Sequence, residues 1–128
     1  MTALTDLAKR LLDERTFAVV STINPDGAPQ SSVVWVKRDG DEVVFSTIRG
    51  RRKTRNMERD PRVNVALYDP ADPYRYVEIR GTVSLTEEGG PELIQELSRK
   101  YDGEPFTEGH PDNVRVVVRV RPRRVVER

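Results

Sequence analysis

The chain opens on a short helical pattern: Leu4, Leu7, Leu11 and Leu12 recur at i, i+3, i+7 and i+8, with Lys9, Arg10, Asp13 and Glu14 turned away. Thr5 or Thr2 is placed to cap it. From residue 17 the period drops to two. Phe17, Val19, Ser21 and Ile23 alternate with their neighbours and run into Asn24-Pro25-Asp26-Gly27, four turn formers in succession. Residues 30–37 form the return strand, and the unbroken run Val33-Val34-Trp35-Val36 predicts a strand covered on both faces, as in a barrel wall against a partner. Arg38-Asp39-Gly40-Asp41 closes a second hairpin into a strand over 42–48. Residues 49–60 contain no Val or Ile, are rich in helix formers and stop at Pro61, which predicts a helix. Period two resumes over 62–68, with Val63, Val65 and Leu67 on one face. Residues 69–73 read as a rigid loop. In the long strand over 74–85, Val77, Ile79, Val83 and Leu85 oppose Glu78, Arg80, Thr82 and Ser84, and Gly81 marks a bulge or bend. Gly89-Gly90-Pro91 starts a last helix with Leu93, Leu97 and Tyr101 on one stripe. After a polar loop through His110 and Pro111, Val114, Val116, Val118 and Val120 are predicted to face in and Arg115, Arg119 and Arg121 to face out.

The resulting order, β-β-β-α-β-β-α-β after the first helix, is mainly β: six antiparallel strands in a closed or partly open barrel with two or three short helices. Strands do not alternate one for one with helices, which argues against a doubly wound parallel sheet. Its 128 residues suit one domain over 1–128, with the N-terminal helix in 1–15, the barrel in 16–127 and helices near 50–60 and 90–101.

Composition narrows the function. The 22 Lys and Arg balance 21 Asp and Glu, so nothing draws the whole molecule to nucleic acid or a membrane, and any anion site must be local. The absence of cysteine excludes disulfides, thiolate metal sites and a Cys nucleophile, and fits a reducing compartment. No apolar run approaches the roughly 20 residues that span a bilayer, and residues 1–13 have no apolar signal core. These features predict a soluble, cytoplasmic protein. His110 is the one histidine, so no metal site is expected, and no Ser-His-Asp or paired-carboxylate arrangement emerges.

The informative stretch is Arg49-Gly50-Arg51-Arg52-Lys53-Thr54-Arg55-Asn56, with five cations in eight residues where a strand ends and a helix starts. A helix N-terminus favours anions; cations there carry a penalty on the order of a few tenths of a kcal/mol each unless an anion neutralises them. Gly50 permits close backbone approach, Ser46 and Thr47 bring hydroxyls to the same corner, and Arg and Lys suit a phosphate as fork and point charge. The pattern admits two readings: a site for a phosphorylated small molecule, or a solvated basic face.

The segment from Val43 through Lys53, followed by Asp60-Pro61-Arg62-Val63-Asn64-Val65, resembles the flavin-binding core of the pyridoxamine 5′-phosphate oxidase-like split-barrel superfamily. Thr22 to Gln30 is similar to its first hairpin, and Lys53-Thr54-Arg55-Asn56 resembles its branch of reductases dependent on the deazaflavin coenzyme F420. That resemblance, over about residues 15 to 126, implies a split β-barrel homodimer with cofactor sites at the subunit interface. It implies that Arg51, Arg52 and Lys53 hold the cofactor phosphate, with Thr54 and Asn56 in the same motif. Ser46 and Thr47 would lie along the ring and its linker, and Val34 and Trp35 would back the ring. Ser32 stands where the oxidases place a phosphate-binding Arg, and the C-terminal residues 121–128 lack the oxidases' His, so vitamin B6 oxidation is not implied. The expected activity is hydride transfer between reduced coenzyme F420 and a small conjugated substrate, with Tyr76 a candidate substrate contact. FMN is the alternative cofactor, and a non-catalytic flavin or deazaflavin carrier the alternative role. Arg115, Arg119, Arg121, Arg123 and Arg124 form a second basic stripe, read either as an outer face paired with acids or as a contact for an acidic cofactor tail.

Overall fold

The computed structural model describes residues 2–128, so Met1 of the predicted domain lies outside the described residues. Helix α1 (Asp6–Asp13) is capped by Thr5, whose hydroxyl accepts from Ala8 N–H. Seven strands follow: β1 (Ala18–Ile23), β2 (Pro29–Val34), β3 (Val36–Asp39), β4 (Glu42–Ile48), β5 (Arg62–Asp69), β6 (Asp72–Thr86) and β7 (Arg115–Glu127). Helix α2 (Arg52–Arg59) lies between β4 and β5, and α3 (Gly90–Tyr101) between β6 and β7. All pairings are antiparallel in one sheet of order β2-β1-β5-β6-β7-β4-β3.

The count differs from the expected six because residues 30–37 are not one strand. Strand β2 pairs with β1 at one edge of the sheet and β3 with β4 at the other, with Trp35 alone between them. Two edges joined by one residue force the sheet to curl, and the barrel is split where Trp35 crosses. Tertiary bonds hold this break. The Tyr101 hydroxyl accepts from Val36 N–H (3.1 Å) and donates to the Thr16 carbonyl (2.6 Å), while Lys100 Nζ donates to the carbonyls of Val36 (2.6 Å) and Leu12 (2.5 Å). The rings of Trp35 and Tyr101 stack with centroids 5.5 Å apart.

Inside the curl, Leu11, Leu12, Val20, Phe45, Leu67 and Ile79 are fully buried, with α1 plugging one end. On β1 the inward row is Ala18, Val20 and Thr22, so Phe17, Val19, Ser21 and Ile23 lie on the other side. A further difference concerns proline. The expected loop at 69–73 contracts, because β6 already starts at Asp72 and includes Pro73. Strand β7 runs through Pro122, which pairs with Gly81 where the register shifts; the ladder is already interrupted there, so the missing N–H costs little. A Cβ at Gly81 would sit 2.4 Å from the Arg121 carbonyl oxygen, so the close approach requires glycine.

Replacing Tyr101 with Phe should therefore destabilise the fold by about 1–3 kcal/mol, because the Val36 N–H and Thr16 carbonyl lose a buried partner. Denaturant unfolding would measure it, and an unchanged midpoint would show that Tyr101 does not hold the crossing.

Candidate functional site

Strand β4 ends at Ile48, and the chain turns through Gly50, whose φ of +94° suits glycine. Arg51 N–H closes the turn on the Ile48 carbonyl (3.2 Å), and α2 begins. Its N-cap, Arg51, makes no side-chain cap, and its first turn holds no acid. The first i→i−4 bond runs from Arg55 N–H to the Arg51 carbonyl, so the N–H groups of Arg52, Lys53 and Thr54 precede the helical ladder. Arg49 is neutralised by Glu58 (2.7 Å) and Glu87 (3.1 Å). Arg51, Arg52 and Lys53 make no ion pair among the described residues.

The predicted site residues separate by the face they occupy. Thr54 is buried; its hydroxyl donates to the Ile48 carbonyl (2.7 Å) and accepts from Thr47 (2.9 Å). Asn56, also buried, donates to Thr22 and Asn24 (both 3.0 Å) and accepts from Arg59, which reaches on to the Ile23 carbonyl. The structure thus places Thr47, Thr54 and Asn56 as struts tying α2 to β4 and the first hairpin, beneath the site. Arg52 is exposed on the opposite side, beside Asn24, Pro25 and Asp26. Tyr76 lies near the far end of β6, paired with Tyr68, and does not line the site. His110 is exposed, accepting from Asp112 N–H.

Lys53 is different. Only 9% exposed, it makes one side-chain hydrogen bond, from Nζ to Ser32 Oγ at 3.1 Å. Burial, first, and then the nearby charges of Arg51 and Arg115 hold its pKa below the ordinary 10.5.

These groups meet in a cleft of about 210 Å³ at the split of the barrel. Val33, Val34 and Trp35 form one wall, and Ile94, Leu97 and Phe106 another. Ser46, Arg51, Lys53 and Arg115 form its polar end. Of the residues expected to hold a cofactor, Val34, Trp35, Ser46, Arg51 and Lys53 line the cleft, and Ser32 joins them through its bond to Lys53. Phe106 was not expected, and Arg115 was read only as part of the second basic stripe, facing acids or an acidic cofactor tail, not as a wall of this cleft. Residues 102–108 read as a solvated loop, and the alternation of β7 turned Arg115 outward; at the first residue of the strand, that side faces the cleft instead. Arg115 is paired with Glu108, and Arg119 with Asp39 and Glu42, so both carry acid partners as one reading of the basic stripe expected. Arg115, with Asn113 and a backbone bond assisting, holds Glu108 down to about 2, so this anchor survives mild acid.

The chain as a whole is similar to known proteins. The sequence profile described as "Pyridoxamine 5′-phosphate oxidase" covers residues 4–128. The chain belongs to this family. A pyridoxine/pyridoxamine 5′-phosphate oxidase of Rubrobacter xylanophilus is 37% identical over 78 residues, 60% of this chain but only 36% of that relative, so the match spans about a third of the oxidase. Among solved structures, an F420 reductase superposes with a TM-score of 0.85 at 32% identity, covering 96% of this chain and 98% of that one. A conserved hypothetical protein of Mycobacterium tuberculosis gives 0.79 at 25% identity, over 98% and 84%. This member of the oxidase family is a mainly β split barrel, as its sequence implied. No helix among the described residues is long and apolar enough to cross a membrane.

The depressed pKa of Lys53 has a sign. Below the folded-state pKa the charged amine opposes folding, and the penalty fades as pH climbs from that value to 10.5, where the unfolded chain also loses the proton. Lys53→Met should therefore raise the melting temperature of the ligand-free protein at neutral pH. The gain should shrink towards pH 11. Calorimetry across pH would check both, and a lowered melting temperature would mark Lys53 as a structural cation.

Proposed function

We propose that this cleft binds coenzyme F420 and that the protein is an oxidoreductase passing hydride between the reduced coenzyme and a small conjugated substrate. The observation that carries the reading is Lys53, a buried ammonium without a carboxylate, beside Arg51 and the free N–H groups of α2. The donor set suits a phosphate: Arg51 forks it, Lys53 serves as a point charge, and the helix start adds backbone donors. The apolar walls suit a planar ring, with Trp35 kept in place by its stack on Tyr101. The resemblance of nearly the whole chain to an F420 reductase supports the deazaflavin over FMN, as does Ser32 in the place of the oxidases' Arg.

When bound, the coenzyme supplies the hydride chemistry. The chain's contribution is position and a dry wall. Lys53 and Arg51 fix the phosphate end, Val34 and Trp35 back the ring, and Ile94, Leu97 and Phe106 exclude water. Among the described residues no carboxylate or histidine lines the cleft, and this reading gives no side chain of the chain the role of acid or base. About 210 Å³ is smaller than the roughly 300–1,000 Å³ usual for a small-molecule site. We infer that a second copy completes it. Val33, at 65% exposure, links the cleft to an outward apolar row with Val19 (40%) and Phe17 (51%), a surface suited to a homodimer that brings the partner over the ligand.

Titration of the purified protein with F420 and with FMN tests the reading, with sedimentation of the same sample giving the mass of two chains. F420 should saturate and FMN should bind more weakly. Lys53→Ala should weaken F420 binding by roughly 10- to 100-fold, the worth of a charge-assisted hydrogen bond. Undiminished binding by that variant would refute the placement, and tight binding without turnover of any acceptor would mark a carrier.

A further inference from the structure

Arg115 opens β7 with a side chain only 12% exposed. Its Nε and Nη2 donate to Glu108 Oε2 and Oε1, both at 2.8 Å, and Glu108 Oε1 also accepts from Asn113 Nδ2 at 2.9 Å. The guanidinium carbon lies 4.8 Å from the Phe106 ring centroid. One edge is therefore forked and a ring lies beside the group, while Nη1 is left towards Ser46 Oγ at 3.4 Å, near the limit of a hydrogen bond. The segment that aims it is anchored too. Gln95 bonds both the N–H and the carbonyl of Phe106 (2.9 Å each), and Ser98 donates to the Glu104 carbonyl (2.7 Å). A salt bridge that merely pinned the loop would not need its remaining donor turned into a cleft that already holds two cations. Arg51, Lys53 and Arg115 line the cleft, and the one carboxylate paired with them, Glu108 behind Arg115, leaves two positive charges uncompensated.

We propose that Arg115 is a ligand-contacting anion receptor of this cleft, aimed by the positioning residues Glu108 and Phe106, and that the site takes a dianionic group: a phosphate monoester, or a phosphodiester with a neighbouring carboxylate. The inference rests on the reading of the cleft as an anion site and adds the residue and loop that set its charge preference. Arginine does this better than lysine because its planar fork serves Glu108 on one edge and the ligand with the other.

The test measures dissociation constants for F420, FMN and inorganic phosphate in the intact protein, with Lys53→Ala as reference. Arg115→Gln should weaken all three by roughly 10- to 100-fold, the worth of one charged donor. Arg115→Lys should recover less than half of that loss on the free-energy scale, and Glu108→Gln should weaken binding by about tenfold with Arg115 still present. Arg119→Gln, on the same strand but paired with Asp39 and Glu42, should leave binding unchanged. If Lys53→Ala weakens binding while the Arg115 and Glu108 variants do not, this inference fails and the anion site stands. If none of them matters, the anion site itself fails. Tighter binding by Glu108→Gln would overturn its positioning role, showing that it competes with the ligand. Should Arg115→Gln fail to fold, full binding by Arg115→Lys or Glu108→Gln would suffice to overturn the proposal.

Discussion

An ammonium group withdrawn from water needs an anion or a full set of acceptors, and Lys53 has one serine hydroxyl. Around it the fold adds charge of the same sign instead of compensating. Arg51 caps the helix without a side-chain bond, no acid enters the first turn, and Arg115 approaches from the other side of the cleft. The arrangement is unfavourable in the empty protein and becomes favourable when a negative group arrives. Everything proposed about function follows from that asymmetry, since a fold gains nothing from such a cluster for its own stability.

The barrel holds the cluster in place through the break at Trp35. Because β2 and β3 are opposite edges of one sheet and only Trp35 joins them, the crossing fixes Ser32, Val33 and Val34 on one side and, through β4, Ser46 on the other. Tyr101 and Lys100 from α3 bond the backbone at the crossing, so the helix that supplies Ile94 and Leu97 also holds the opposing wall at a set distance. Met57, Thr54 and Asn56 root α2 beneath. Rigid elements on all sides suit a site whose chain residues position a ligand and do not react with it.

Much of this was legible in the residues. Turn formers between alternating strands gave the hairpins, Gly81 the bulge, Gly90 and Pro91 the start of α3, and the reversed charge of α2 pointed to the corner where the candidate cleft lies. Features decided by tertiary contact were not legible. Val33-Val34-Trp35-Val36 carries no Gly or Pro to mark a break, because the break is imposed by bonds from residues more than sixty positions away. Nothing in the residues marks the pairing of Pro122 with Gly81, which lets β7 run through the proline at a register shift. The same limit explains the site residues. A motif presents Lys53, Thr54 and Asn56 as equals, but the helical period sends Lys53 to the cleft while Thr54 and Asn56 bond inward. Arg115 is invisible to strand alternation because the far side of a strand at the barrel's split is a cleft wall.

The function proposed here turns on the charge of one amine, and NMR titration of the Lys53 side chain reads it directly. In the ligand-free protein its pKa should lie below that of the other lysines, and saturation with F420 should raise it, because an anion then faces the ammonium. A Lys53 that titrates with the exposed lysines, or that ignores the ligand, would contradict the account.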